Sequence, residues 1–209
     1  GEELTGMIIS EASDLSRMVE DLLTTARLDA GALRFELENV ITRDEVEDVV
    51  RPFNRGPVPI EVDVSPAVVR VDRLRQRQIL RNLISNARKY GGPHLRLEGK
   101  RNGQWYEWTI ADDGDGVPKE LEERLFSRFL HQGYTAAVPG GVGLGLSIVK
   151  ALAEGMGGTV LYERTGDETR FIVRVPVAAA AAAGAASGDE SGRFIGEERR
   201  IAAAEPYRG

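Results

Sequence analysis

The chain contains no cysteine. Disulfide staples and thiolate-ligated metal sites are therefore excluded, and a reducing cytosol is compatible. No apolar run approaches the roughly 20 residues that a membrane-crossing helix requires. A basic excess is also missing. The formal net charge is -6, the wrong sign for a general nucleic-acid binder. No charged-then-apolar leader precedes the first element, and the chain opens on Gly1 rather than methionine. It therefore reads as a piece of something longer, or as a processed product, with no signal peptide. Histidine is scarce: there are two, His94 and His131. What is present is ordinary for a globular protein. Hydrophobic residues make up 42% and charged residues 29% of 209 residues, enough for one or two domains with a sizeable core.

Residues 1 to about 30 lack proline, and their only glycines are Gly1 and Gly6. Ile8, Ala12, Leu15, Val19, Leu22 and Ala26 fall alternately four and three apart, a heptad-like seam widened by Met18 and Leu23. This predicts one long helix, stopped at Gly31. A short extended stretch follows over 34–40. Thr42 with Glu45 three residues later is a candidate capping box for a helix ending near Pro52. Ile60, Val62 and Val64 alternate as a strand, and 68–71 is short and apolar. A second long helix is predicted over 72–90, closed by Gly91-Gly92-Pro93. Strands 94–100 and 105–111 flank the turn at Asn102-Gly103, and strands 159–164 and 169–175 flank Gly166-Asp167. A helix is expected from Gly143 to Met156. From Ala178 onward an alanine run gives way to Gly, Ser, Asp, Glu and Arg, which reads as a low-complexity, disordered tail over 178–209.

Three elements carry chemistry. On the 72–90 helix, Asn82, Asn86 and Lys89 are spaced four and three and share a face. A carboxamide oxygen can ligate Mg²⁺, an ammonium can meet phosphate, and Tyr90 adds a flat ring. A solvated polar face is the plain alternative. Second, Asp112-Asp113-Gly114-Asp115-Gly116-Val117 ends a strand. A carboxylate fixed there can accept from an exocyclic amine. A calcium loop is excluded, because the twelfth position from Asp113 is Arg124 rather than glutamate. Third, Gly140 to Ser147 is a glycine-rich loop opening a helix, a setting that binds phosphate. It is neither a Walker loop nor a dinucleotide fingerprint, since Gly-x-Gly-x-x-Gly fails at Leu146 and at Ile148.

Taken in order, Asn-x-x-x-Asn-Ala-x-Lys-Tyr, Asp-x-Gly-x-Gly, Leu-Phe-Ser-Arg-Phe at 125–129 and Gly-x-Gly-Leu-Gly-Leu-Ser-Ile-Val resemble the catalytic ATPase domain of sensor histidine kinases. That domain belongs to a superfamily shared with gyrase, mismatch-repair ATPases and a heat-shock chaperone. The resemblance covers roughly residues 42–177. Residues 18–31 are similar to the second helix of the same family's dimerisation hairpin. The resemblance implies an α+β fold: a two-layer α/β sandwich with a mixed, largely antiparallel sheet covered by helices on one face, preceded by one long helix. It divides the chain into a hairpin helix at 1–31, a linker at 32–41, the ATP-binding domain at 42–177 and the tail at 178–209.

The resemblance further implies ATP and Mg²⁺ as cofactors. Asn86 is expected to ligate Mg²⁺ with Asn82 assisting. Lys89 is expected to meet phosphate, Tyr90 to lie against the nucleotide and Asp112 to receive the adenine amine, directly or through water. Gly114, Gly116 and Val117 would shape that wall, and Arg128 would reach the terminal phosphate. Gly141, Gly143 and Gly145 would form the phosphate-side loop, with Leu144 and Leu146 beneath it. Residues from about 126 to 140 would be a lid, with Gly133, Gly140 and Gly141 for flexibility.

Asp113 and Val142 stand where the family commonly has asparagine and threonine, and Asp115 adds an acid. Neither His94 nor His131 sits on a long helix with a following acid, so the phosphoacceptor histidine is expected on a first hairpin helix outside this sequence. The implied activity is histidine protein kinase in a two-component phosphorelay, with a response regulator receiver domain as partner. The resemblance implies a homodimer for the parent protein but not for this chain alone. The chain itself is expected to contact neither nucleic acid nor membrane, and to lie in the cytoplasm within a parent that could be membrane-anchored. Two alternatives are a non-catalytic nucleotide-binding regulator and an anti-sigma-type serine kinase.

Overall fold

A computed structural model describes residues 2–54, 59–127 and 144–179. The lid expected at 126–140 and the tail beyond 179 thus lie largely outside the described residues. Helix α1 spans Glu2–Asp29. Gly31 ends it with φ 60, and the amides of Ala32 and Leu33 turn back to the Arg27 carbonyl. The left-handed glycine at this stop is what its sequence position predicts.

The central sheet has strand order β2-β4-β5-β7-β6. Strand β2 (Ile60–Val64) runs parallel to β4 (Leu95–Asn102), while β5 (Trp105–Asp112), β7 (Glu168–Pro176) and β6 (Thr159–Thr165) pair antiparallel. The sheet is therefore mixed and largely antiparallel. Its alternation decides which face is covered. Leu97, Trp108, Ile110, Val173 and Val175 are buried on one side, where α3 (Arg73–Tyr90) and α5 (Gly145–Gly155) lie; the short α4 (Lys119–Glu122) follows β5. The other side carries ion pairs: Arg96 with Glu168 at 2.7 Å, Lys100 with Asp63 at 3.2 Å and Arg174 with Glu107 at 2.8 Å. Such half-exposed pairs add little stability each. They mark the solvent face. Gly99 leaves room for the Tyr106 side chain, because a Cβ there would come 2.4 Å from its hydroxyl.

A second, two-stranded sheet pairs β1 (Glu38–Ile41) with β3 (Val68–Val71). The stretch expected to be linker over 32–41 is thus partly sheet. The rest is anchored as well: the Glu36 amide donates to Asp72 at 3.0 Å, and the Phe35 ring fills the space a Cβ on Gly155 would need.

One local expectation fails. Helix α2 (Thr42–Val50) forms, but Ile41 is its cap residue and no side chain caps it. The Thr42 hydroxyl instead donates to the Ser65 carbonyl and accepts from the Ala67 amide. Glu45, 0% exposed, is drawn into α3 by Arg77 at 2.7 Å and Arg73 at 3.2 Å. Tertiary pairing outweighs the cap. Arg77→Met would leave that buried carboxylate with one partner fewer, and is expected to cost about 3 kcal/mol. Glu45→Met removes the buried charge and leaves arginines that can reach water, so it should cost about half as much or less. Urea denaturation of both variants checks the order.

Helix α1 packs through its polar side. Thr24 is buried, and Gln78 of α3 donates to Thr24 Oγ1 at 3.2 Å and Asp21 Oδ1 at 3.3 Å. The apolar seam faces away: Leu15 is 64% exposed, with Val19, Leu22 and Leu23 also exposed. Among the described residues no helix is long and apolar enough to cross a membrane.

Candidate functional site

Helix α3 is the spine of the site. It starts on Asp72, whose carboxylate accepts from the Arg75 amide at 3.1 Å. Ile79, Leu80, Leu83, Ile84 and Ala87 bury one side. The polar stripe runs along another, with graded exposure: Asn82 is 7% exposed, Asn86 is half-buried, and Lys89 and Tyr90 are exposed at the helix end. The Asn82 Nδ2 has no hydrogen-bond partner among the described residues. An amide buried in that state costs about 1–3 kcal/mol, which a bound acceptor would offset.

The end of α3 is stapled to the end of β5. Asp112 is 4% exposed, and its carboxylate accepts from the amides of Gly114, at 3.0 Å, and Gly92. Burial pushes this carboxyl above the usual range, as does neighbouring Asp113; the two amides and Arg164 oppose the rise. The backbones approach so closely that side chains are excluded. A Cβ on Gly91 would fall 2.7 Å from Asp112 Cγ, one on Gly92 would fall 2.2 Å from Asp113 Oδ1, and one on Gly114 would fall 2.8 Å from the Gly91 backbone. In the sequence, Gly91 and Gly92 read only as a helix stop. Their second function, making room for the acid wall, is visible only once β5 lies beside them.

The loop after Asp112 is held from β6. Gly116 takes φ 74 beneath Arg164. The Val117 amide donates to the Tyr162 hydroxyl at 3.0 Å. Tyr162 tilts against Phe171 with ring centroids 5.3 Å apart, and Phe171 meets Phe126 edge-on. Leu125 is buried in the core, so the Leu-Phe pair that opens the expected lid is anchored. Tyr162 and Arg164 were not legible as site residues, since both sit in an ordinary alternating hairpin with no motif.

The third element approaches α3 about two turns before its end. Leu144 is buried, and Leu146 packs against the core. Helix α5 begins at Gly145, two residues later than expected, and has no side-chain cap at its start. The place a Gly145 Cβ would occupy is 4.0 Å from Asn82 Cγ. Arg128, Gly141 and Gly143 lie outside the described residues, as does His131. His94 precedes β4 with its side chain exposed and its amide donating to Asp113 at 2.9 Å. Thus the structure brings Asn82 to the start of α5, and Gly91, Gly92, Asp112 and Gly114 to one another at the other end of the stripe. Such a surface offers a buried acceptor at one end and, at the other, a helix start without a side-chain cap beside an amide nitrogen that has no partner among the described residues. It suits a ligand with an amine-bearing ring and an anionic tail.

Comparison with known proteins agrees. The family described as histidine kinase-, DNA gyrase B-, and HSP90-like ATPase matches residues 71–179. A Mycobacterium tuberculosis protein described as "Probable sensor histidine kinase TcrY" is 32% identical over 81% of this chain and 37% of its own length. The Streptomyces coelicolor signal transduction histidine-protein kinase AfsQ2 is 30% identical over 84% of this chain and 33% of its own length. The chain thus spans about a third of either relative's length. Among solved structures, Acinetobacter baumannii histidine kinase AdeS superposes with a TM-score of 0.67 at 28% identity, covering 85% of each chain. Full-length ShkA in complex with AMPPNP superposes with a TM-score of 0.68 at 29% identity, over 87% of this chain and 40% of that one. The chain belongs to the histidine kinase-, DNA gyrase B-, and HSP90-like ATPase family, and it carries the ATP-binding catalytic domain of a histidine kinase.

Proposed function

We propose that this chain holds Mg-ATP along α3 and presents the γ-phosphoryl group to a histidine on a dimerisation hairpin, as the catalytic part of a two-component sensor kinase. The observation that carries this reading is the pairing of Asn82, buried with an amide nitrogen unpartnered among the described residues, with the start of α5, on the same helix whose far end is stapled to Asp112. Asn82 and Gly91 are separated by roughly 13 Å of helix, a reach suited to an extended nucleoside triphosphate. Asp112 receives the adenine amine. Gly114, Gly116 and Val117 form the wall behind it, and Tyr90 lies against the nucleotide. Lys89 and Arg128 neutralise phosphate charge. The Gly141–Leu146 segment supplies backbone amides.

Among the described residues no group of three or more His, Cys, Asp or Glu could hold a metal. The donor set fits Mg²⁺ held by the Asn86 carboxamide, with Asn82 assisting and phosphate oxygens and water completing the shell. When bound, Mg²⁺ offsets charge on the transferring phosphoryl group. The protein's own contribution is positioning.

The exposed seam of Leu15, Val19, Leu22 and Leu23 fits the second helix of a hairpin whose dimer covers it. It also disfavours the anti-sigma-type serine kinase, which has no need of such a helix. A response regulator receiver domain is the expected downstream partner. We place the chain in the cytoplasm, within a sensor protein that can be membrane-anchored.

With radiolabelled ATP and Mg²⁺, acid-labile label is expected on a separately supplied phosphoacceptor hairpin and none on this chain. Asn86→Ala should weaken Mg²⁺-dependent binding of an ATP analogue about tenfold or more. Acid-labile label on the chain itself, or unchanged binding by the variant, would overturn the assignment. Binding without transfer to any hairpin would point to a nucleotide-binding regulator.

A further inference from the structure

Within the loop over residues 112–117 the Asp112 carboxylate braces the Gly114 amide, but Gly114 and Gly116, the latter at φ 74, carry no side chain that could fix the rest. Arg164, next to the last residue of β6, does so from outside. Its Nη1 donates to the Gly114 carbonyl at 3.0 Å and to Thr169 Oγ1 at 2.9 Å. Its stem and head lie over Gly116 so closely that a Cβ there would meet Nη1 at 2.3 Å. Thr169 is buried, faces Arg164 across the β6–β7 ladder and faces Asp112 across the β5–β7 ladder. Arg164 is thus fixed to the sheet on one side and grips the loop on the other.

We propose that Arg164 is a positioning residue for nucleotide recognition, clamping the loop so that Asp112 is held ready for the ring amine. This rests on the ATP-site reading above. Arg164 need not touch the nucleotide. Its second contribution is electrostatic. Asp112 is met by the guanidinium from β6, by the Asp113 carboxylate from its own strand end and by the Gly92 and Gly114 amides, while its burial opposes ionisation. His94 lies beyond Asp113, with Nε2 3.8 Å from that carboxylate. The cation therefore helps keep an acceptor-only carboxylate at the site.

The test uses Arg164→Met, which keeps the packing over Gly116, and Arg164→Lys, which keeps the charge. In the nucleotide-free protein, the Gly92 and Gly114 amide resonances followed against pH report the ionisation of Asp112 directly. Arg164→Met is expected to raise that midpoint and to weaken binding of a fluorescent ATP analogue about tenfold. Arg164→Lys should restore most of the midpoint. An Arg164→Met protein with the wild-type midpoint and wild-type affinity overturns the inference. So does a loss of affinity accompanied by a lowered melting temperature and an unmoved midpoint, which is what a merely structural arginine would give. If the wild type binds no analogue while the amide midpoint still follows residue 164, the nucleotide reading itself is what falls, and the inference falls with it.

Discussion

Asp112→Asn is expected to lower affinity for an ATP analogue by about 100-fold or more, and to make the stability of the nucleotide-free protein less dependent on pH between acid and neutral. The first half follows from hydrogen-bond polarity. An ionised carboxylate only accepts, and at 4% exposure it has little access to solvent that could correct a mismatch. Asparagine of the same shape can turn its Nδ2 toward a ring amine that also donates. A buried site built for one polarity rejects the other strongly.

The second half follows from linkage. Burial raises the Asp112 carboxyl above its ordinary value, which is about 3.9 in an unfolded chain. A raised acid contributes stability that is fully present below the unfolded value and is lost as pH rises through the folded one. The wild type therefore carries a penalty at neutral pH that asparagine, which does not titrate, escapes. The difference in melting temperature between the two proteins should shift in the variant's favour from acid to neutral pH. The contribution would then be a stability sacrificed at the site for function. Unchanged analogue affinity in Asp112→Asn would remove Asp112 from the site.

The elements legible in the sequence are those whose signal is local. Asn102-Gly103 and Gly166-Asp167 announced both hairpins, and Gly103 and Gly166 indeed take φ 62 and 61. The apolar rows of α3 gave its buried side. The capping box at Thr42 and Glu45 was a local signal too, and it lost. Two arginines on α3 offered Glu45 stronger partners than its own helix amides did.

The site divides in the same way. Asn82, Asp112 and Gly145 sit in motifs and could be named in advance. Arg164 and Tyr162 act on that site from another strand, across a register that no spacing in a single sequence encodes. The α1 seam was legible as apolar. That the helix would meet the domain through Asp21 and Thr24 instead was not, because a polar contact needs its partner, Gln78, to be placed first.

The last expectation sets two glycines against each other. Both lie in motifs, and a sequence reading treats them alike. Gly114 has no room: a Cβ would sit 2.8 Å from the Gly91 backbone, which cannot yield as a flexible side chain would. Gly114→Ala should therefore part the end of α3 from the end of β5, destabilising the fold by about 2 kcal/mol and weakening the nucleotide along with it. Gly145 is different. It stands at the first position of α5 without a positive φ, and among the described residues the nearest atom to an added Cβ is Asn82 Cγ at 4.0 Å. Alanine fits there and is the better helix former, so the nucleotide-free protein should gain up to about 1 kcal/mol.

Gly145→Ala adds a methyl beside the Asn82 carboxamide at the start of α5, where the proposed reading puts a phosphate. The variant should melt higher yet bind the ATP analogue about tenfold or more weakly, with the loss concentrated in the triphosphate. Adenosine affinity should change little, because the acid wall at Asp112 is untouched. A more stable Gly145→Ala protein that binds the triphosphate as tightly as the wild type would mean that the phosphates lie elsewhere, and that Asn82 is a buried amide with another purpose.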